Sequence, residues 1–303
     1  MITRPGRRRG GSFREGVWGY ALLAPWLIGL VTLTAGPMLA SLYLSFTDYA
    51  FIGPFDWVGL SNYVHLFTED QRFLQALEVT ATYVAFAVPL ELSFALLVAV
   101  LLNRRMRGAS LLRAVYYLPS LLGGSVAIAI LWRQVFGTDG LVQQLLISLG
   151  WADAPALVSR PETSLGTLIV LGVWQFGSPM VIFLAALRQI PGELYEAASL
   201  DGAGAFRSFV SITLPMLTPV IFFNLILRII GSFQTFTPAF VVSGGTGGPT
   251  DSTLFYTLYL YQEAFTNFRM GYASAMAWIL LVIIGVFTAA NFALSKKWVV
   301  YDS

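Results

Sequence analysis

The sequence predicts an all-α membrane protein of six transmembrane helices. Of its 303 residues 56% are hydrophobic. Only 11% are charged, against about 25% in a soluble domain. The apolar residues also fall into six long runs separated by charged, turn-rich connections. About 20 such residues at 1.5 Å rise cross about 30 Å of hydrocarbon, which is the length of each run.

Arg4, Arg7, Arg8, Arg9 and Arg14 make residues 1–16 a basic tail without apolar periodicity. A nucleic-acid arm or a twin-arginine signal shares that composition. A topology signal ahead of a retained helix is the simpler reading, and no nucleic acid is expected as a partner. Residues 20–44 are uncharged, exceed the ~7 to 15 residue core of a signal peptide and lack a clean small-residue cleavage site, so they read as the first span. Pro25, Gly29 and Pro37 are placed to bend it. The second span, 79–102, carries one charge, Glu91, and is followed by Asn103-Arg104-Arg105-Met106-Arg107. Spans three and four are 114–132 and 164–187; span five, 212–236, contains Arg228, and span six, 270–294, has no charge. Together they give a membrane domain over 17–297 with a short tail at 298–303.

Six spans place both termini on one side. Thirteen of the 18 basic residues then share a face: the tail, Arg104, Arg105, Arg107, Arg113, Arg188, Arg207, Lys296 and Lys297. Arg72, Arg160 and Arg269 lie in the opposite connections. The excess of positive charge on the inner side assigns the first face, with both termini, to the cytoplasm.

The connection 188–214 faces the same side. Pro191 and Gly192 open it, a helical run follows from Glu193, and Asp201-Gly202 breaks that run before a second helix. Pro suits a helix start, Asp accepts hydrogen bonds from free amides there, and Gly permits a sharp turn. Ala197, Ala198, Gly202 and Ala203 leave little side chain at the bend, so another protein's backbone can approach closely. The shape is that of a plug. An amphipathic interfacial helix without a partner is the competing reading.

Glu196-Ala197-Ala198, Gly202 and Leu214-Pro215 closely resemble the EAA loop of ABC importer permeases, and Asp201-Gly202-Ala203 fits its sugar-permease version. The likeness continues through Gly59-Leu60-Ser61-Asn62-Tyr63, Val88-Pro89-Leu90, Leu101-Leu102-Asn103-Arg104, Tyr117-Leu118-Pro119 and Gly231-Ser232-Phe233-Gln234 to Gly248-Pro249, which look like the maltose-type, binding-protein-dependent sugar permeases. The resemblance implies a type I ABC importer permease fold in a bacterial inner membrane. It implies a coupling helix set in the groove of a cytoplasmic ATPase, with Glu196, Ala197, Ala198, Asp201, Gly202 and Pro215 carrying the coupling. It also implies a second permease subunit, expected to be a different chain, two ATPase copies, and an extracytoplasmic binding protein that delivers a sugar, an oligosaccharide or disaccharide. The basic tail and the first span carry no matching motif.

A phosphate-binding loop needs a glycine-rich turn ending in Gly-Lys-Ser/Thr. The only lysines, Lys296 and Lys297, follow Leu294-Ser295. The chain is therefore expected to be a transport subunit and no enzyme, holding no cofactor itself, with ATP and magnesium bound by partner subunits. Zero cysteines and a single histidine, His65, exclude thiol chemistry and a His-His metal pair.

Glu91 and Arg228 are charges inside spans, each costing about 2.5 to 3.5 kcal/mol at a helix centre unless partnered or wet. Counted inward, they lie about 18 Å and about 12 Å deep, a difference an arginine side chain bridges. Two readings stand level: residues lining a translocation path, or a structural pair between the second and fifth spans. Tyr117, Trp174, Phe233 and Gln234 are further path candidates, because aromatic faces stack on sugar rings and an amide bonds hydroxyls; packing or interface anchoring competes for each aromatic. Two rivals of other classes are an ion-coupled secondary transporter using Glu91 as proton carrier and a membrane scaffold recruiting a partner through the plug. Among importers, glycerol-phosphate or glycerophosphodiester uptake is the alternative, with Arg228 and Arg133 serving an anion.

Overall fold

The structure, a computed structural model, describes residues 12–104 and 108–300. Arg4, Arg7, Arg8 and Arg9 of the basic tail, Arg105 and Arg107, and positions 301–303 lie outside the described residues. Helices account for nearly all regular structure among the described residues, beside one isolated bridge between Thr47 and Trp57. Five helical segments are long and apolar enough to cross a membrane, or six if one bent pair counts as a span. The expectation of an all-α membrane protein therefore holds.

The first rod comprises α1 (Ser12–Gly29), a π-helical stretch over Leu30–Ala35, and α2 (Gly36–Leu44). The wide turn precedes Pro37, which has no N–H for the preceding turn, so the ladder loosens there. None of this rod's apolar window is buried, which leaves its surface for lipid or another subunit. Behind it come α3 (Ser61–Thr68) and the 32-residue α4 (Gln71–Leu102). Asp70 caps α4, accepting a hydrogen bond from the Phe73 amide at 2.9 Å. Ala76, Ala87, Ala95 and Ala99 are buried along α4, and these small residues let neighbouring helices approach closely. α4 is the central post, packed by α8 (Pro161–Trp174), α9 (Gly177–Leu187) and α12 (Leu214–Phe233).

The expected third span, 114–132, is not a single straight helix. α5 (Ala109–Leu122) is bent by 98° from the segment Val126–Ser148 that follows it, which starts with α6 (Val126–Phe136). Gly123-Gly124 weakens helical continuity, and Ser125 starts a fresh helix by accepting from the Ile128 amide. α7 (Leu141–Ser148) continues beyond. After α9 come α10 (Gly192–Leu200) and α11 (Ala205–Ser208), then a π-helical turn over Phe209–Thr213 ahead of Pro215. Past α12 the chain folds α13 (Thr237–Ser243) and α14 (Tyr256–Tyr261) across the far end of the bundle before α15 (Met270–Ser295) returns.

The glycine-rich stretch near residue 245 is a hydrogen-bonded turn. The Thr253 amide and hydroxyl both donate to the Gly247 carbonyl, and the Gln262 amide group donates to the Gly245 carbonyl.

Candidate functional site

Two regions answer to the sequence expectations, one at the end of the bundle and one within it. At the end, α10 and α11 form the helix-turn-helix read from residues 193–214. Gly202 takes φ +78°, a left-handed conformation that glycine adopts without a Cβ penalty. The Ala203 amide donates to the Ala198 carbonyl at 2.9 Å and the Gly202 amide to the Ser199 carbonyl at 3.1 Å. This pair of reversed bonds closes α10 as a Schellman motif, with Gly202 in its left-handed position. Asp201 was expected to bond the free amides of the second helix. It sits instead at the C-cap of α10, with no side-chain capping bond found, because the helix ends there and α11 starts only after Gly204.

Glu196, Ala197, Asp201 and Gly202 are exposed, Ala198 is half-buried, and Pro215 occupies the first turn of α12. The Tyr195 hydroxyl meets the Thr213 hydroxyl at 2.8 Å and ties the plug to the root of α12. At the bend Leu200 is 89% exposed and Phe206 81%. Sequence reading missed these two apolar tips, which stood in plain view beside the small residues.

Within the bundle, Arg228 Nη2 lies 3.0 Å from Glu91 Oε1, joining α12 to α4. Glu91 is buried, and its Oε1 has no aligned hydrogen bond. Both residues line a cavity of about 300 Å³. Gln234 joins them, as do three residues not foreseen: Tyr83, Gln175 and Thr235. The Gly123-Gly124 break opens one wall, and Gly123 lies directly against the Gln175 side chain. The dipeptide Gly123-Gly124 was the available signal for that wall.

The remaining path candidates stand elsewhere. Phe233 is buried and packs on Phe287 with ring centroids 5.2 Å apart. Trp174 lies 6.3 Å from Trp132 and lines a separate apolar crevice with Tyr116. Tyr117 is half-buried, its backbone close to Gly177.

The far end is held by a polar cluster. The Tyr259 hydroxyl donates to Asp70 Oδ2 at 2.7 Å, and the Tyr272 hydroxyl donates to the same oxygen. Burial pushes the Asp70 carboxyl up, but the hydrogen bonds from Tyr272, Tyr259 and the Phe73 amide outweigh it and hold the group below its ordinary value. Arg72 pairs with Asp251 at 2.8 Å, and Arg269 with Glu263 at 3.1 Å. His65 Nδ1 lies 2.8 Å from Glu69 Oε2.

Among known proteins, the family of binding-protein-dependent transport system inner membrane components matches residues 72–300. The probable ABC transporter permease protein YesP of Bacillus subtilis (strain 168) is 51% identical, over 96% of this chain and 94% of its own. The multiple sugar-binding transport system permease protein MsmF of Streptococcus mutans is 31% identical, over 93% and 96%. The lactose transport system permease protein LacF of Rhizobium radiobacter is 32% identical, over 92% and 94%. Among solved structures, a chain of a bacterial ABC transporter involved in import of the acidic polysaccharide alginate superposes with TM-score 0.81. It is 23% identical and covers 96% of this chain and 99% of that one, a likeness of fold.

Proposed function

The chain belongs to the family of binding-protein-dependent transport system inner membrane components, and on that premise we propose that it is the permease subunit of an ATP-driven sugar importer. The solute is an oligosaccharide or disaccharide, in keeping with relatives named for multiple sugars and for lactose. An extracytoplasmic binding protein delivers it, a second and different permease completes the path, and two cytoplasmic ATPase subunits bind ATP and magnesium. Both termini and the plug face the cytoplasm, following the thirteen basic residues on that side.

The observation that carries this reading is the plug. A short helix closed by Gly202 and the helix after it hold Leu200 and Phe206 out of the bundle, with neither side chain covered by the described residues. Two large apolar side chains exposed beside a small-residue bend offer anchors for a partner's pockets. Glu196 lies on the same helix and offers a charged contact to the ATPase; Ala197 and Ala198 permit close approach.

In the membrane, Glu91, Arg228 and Gln234 line the path, together with Tyr83, Gln175 and Thr235. Their amide, hydroxyl and charged groups suit the hydroxyls of a sugar, while glycines in the wall leave room for its ring. Rocking of the α5–α6 elbow against α12 alternates access to this cavity. The chain makes or breaks no bond in the solute; it contributes the passage and the transmission.

The test is to purify the chain with whatever co-assembles and to compare ATPase recovery for the native form and for Glu196→Ala with Gly202→Pro. An ATPase present in the first and lost from the second is the expected result. An ATPase retained by the variant moves the docking site elsewhere. A native preparation without any ATPase returns the reading to an ion-coupled transporter using Glu91.

A further inference from the structure

A second cavity, about 700 Å³ in volume against about 300 Å³ for the one at Glu91, opens at the far end between α6 and α13. That volume is ordinary for small-molecule sites, which span about 300 to 1,000 Å³. Its lining is rich in polar groups: Arg133 and Gln134 from α6, Thr138 just after it, Ser159, Ser243 at the end of α13, and Thr253.

Arg133 is the one charged side chain in this lining. Its guanidinium lies beside Gly244, where the chain turns back with φ +67°. It takes part in none of the four ion pairs found among the described residues. The inner cavity differs, because there Arg228 is already matched by Glu91 at 3.0 Å. The outer cavity therefore has an unbalanced positive charge, and the inner one does not.

The two cavities sit at opposite ends of one helix. Thr237, which starts α13, lines the inner cavity, and Ser243, which ends it, lines the outer, about 9 Å further on at 1.5 Å per residue. In the permease reading, the outer cavity stands ahead of the inner one for a solute entering from the far end.

We propose that this outer cavity is a recognition site for an anionic group on the transported solute, held by Arg133 with Gln134, Thr138 and Ser159 around it. The planar guanidinium fork matches a carboxylate or a phosphate through two parallel hydrogen bonds, which a neutral hydroxyl does not use. The shared chemistry is an oxyanion, from the uronate of an acidic saccharide or the phosphate of a glycerophosphate. The inference rests on the permease reading and narrows its substrate class.

The test titrates the purified assembly in lipid nanodiscs with digalacturonate, glycerol 3-phosphate and the neutral disaccharide maltose. Three forms are compared: native, Arg133→Gln and Arg133→Lys. The expected result is that one anion binds the native form, that Arg133→Gln weakens it at least about tenfold, and that Arg133→Lys, which keeps the charge and loses the fork, weakens it by less than Arg133→Gln does. Binding of that anion also weakens with added salt, while maltose is indifferent to the substitution. Digalacturonate as the bound anion identifies an acidic saccharide, glycerol 3-phosphate a phosphate.

Binding of maltose alone, or anion affinity in Arg133→Gln within about twofold of native, overturns the anion site and leaves the permease reading standing. Unchanged anion affinity with reduced stimulation of ATP hydrolysis by the docking protein overturns it in favour of a protein contact at Arg133. An assembly that contains no ATPase and binds none of the three solutes removes the permease reading itself, and this inference with it.

Discussion

Arg228 Nη2 lies 3.0 Å from Glu91 Oε1, and the contact ties α12 to the middle of α4 beside a cavity. Sequence depth alone made the pairing feasible but left two roles level. The geometry gives the two residues both features at once, an ion pair and a wall of the cavity. Removing one partner of a buried pair costs about 3 to 5 kcal/mol; here the cost is smaller, since the Arg228 side chain keeps 28% of its exposure. Glu91→Ala and Arg228→Ala are each expected to lower the melting temperature of the assembly. The double variant Glu91→Leu with Arg228→Leu recovers it, because no uncompensated charge remains. Uptake by that stable double variant is expected to fall to background. Full uptake would assign the pair a structural role only.

The far-end cluster predicts an acid limit. Burial raises the Asp70 carboxyl, but the Tyr272, Tyr259 and Phe73 hydrogen bonds prevail, so its folded value lies below the ordinary one of about 3.9. The folded state then binds fewer protons than the unfolded state through that range. The associated stability is complete above the ordinary value and is lost as pH falls through the folded one. A melting-temperature profile from pH 6 to about pH 3 should decline at its acid end. Asp70→Asn should lower the plateau and flatten that decline; an unchanged slope would mean that other carboxylates set the acid limit.

Gly271 opens α15 where the chain after α2 crosses it. Its amide donates to the Tyr49 carbonyl at 2.9 Å, and a Cβ at this position collides with the Thr47 carbonyl. A backbone oxygen cannot swing aside as the end of a long side chain can. Gly271→Ala is expected to destabilise the chain by about 1 to 3 kcal/mol, the usual cost of overpacking. A thermal shift assay on the detergent-solubilised protein reads this directly, and an unshifted transition would mean that the Thr47 turn moves freely.

The apolar runs were legible in the sequence because a membrane span is a matter of length and average polarity, which Tyr20 to Leu44 or Met270 to Leu294 state without help from the rest of the chain. The plug was legible because its order of small residues, glycine and proline is local. The bend at Gly123 was not, since hydropathy averages over glycine and Ser125 is an ordinary residue until it caps a helix. Nor was the union of Asp70 with Tyr259 and Tyr272, which are 189 and 202 positions away. No local spacing encodes such a contact. The path candidates divided for the same reason: Glu91, Arg228 and Gln234 converge on one cavity, whereas Phe233 and Trp174 are turned by packing toward Phe287 and Trp132.

Leu200 and Phe206 separate docking from folding at the plug. Both side chains are more than four-fifths exposed, so Leu200→Asp with Phe206→Asp removes no packing from this chain, and such surface changes usually stay within about 0.5 kcal/mol. The melting temperature is therefore expected to hold. Contact with a partner is a different matter, because a buried apolar anchor at the centre of an interface carries about 2 kcal/mol or more. Two such anchors replaced by carboxylates should reduce ATPase-subunit recovery at least about tenfold and abolish ATP-driven uptake. Gly202→Val supplies the contrast, for a β-branched residue at φ +78° strains the turn itself and should lower both stability and recovery. If the double aspartate variant recovers the ATPase in full, the contact runs through Glu196 and the small-residue face instead, and the exposed tips meet the membrane surface.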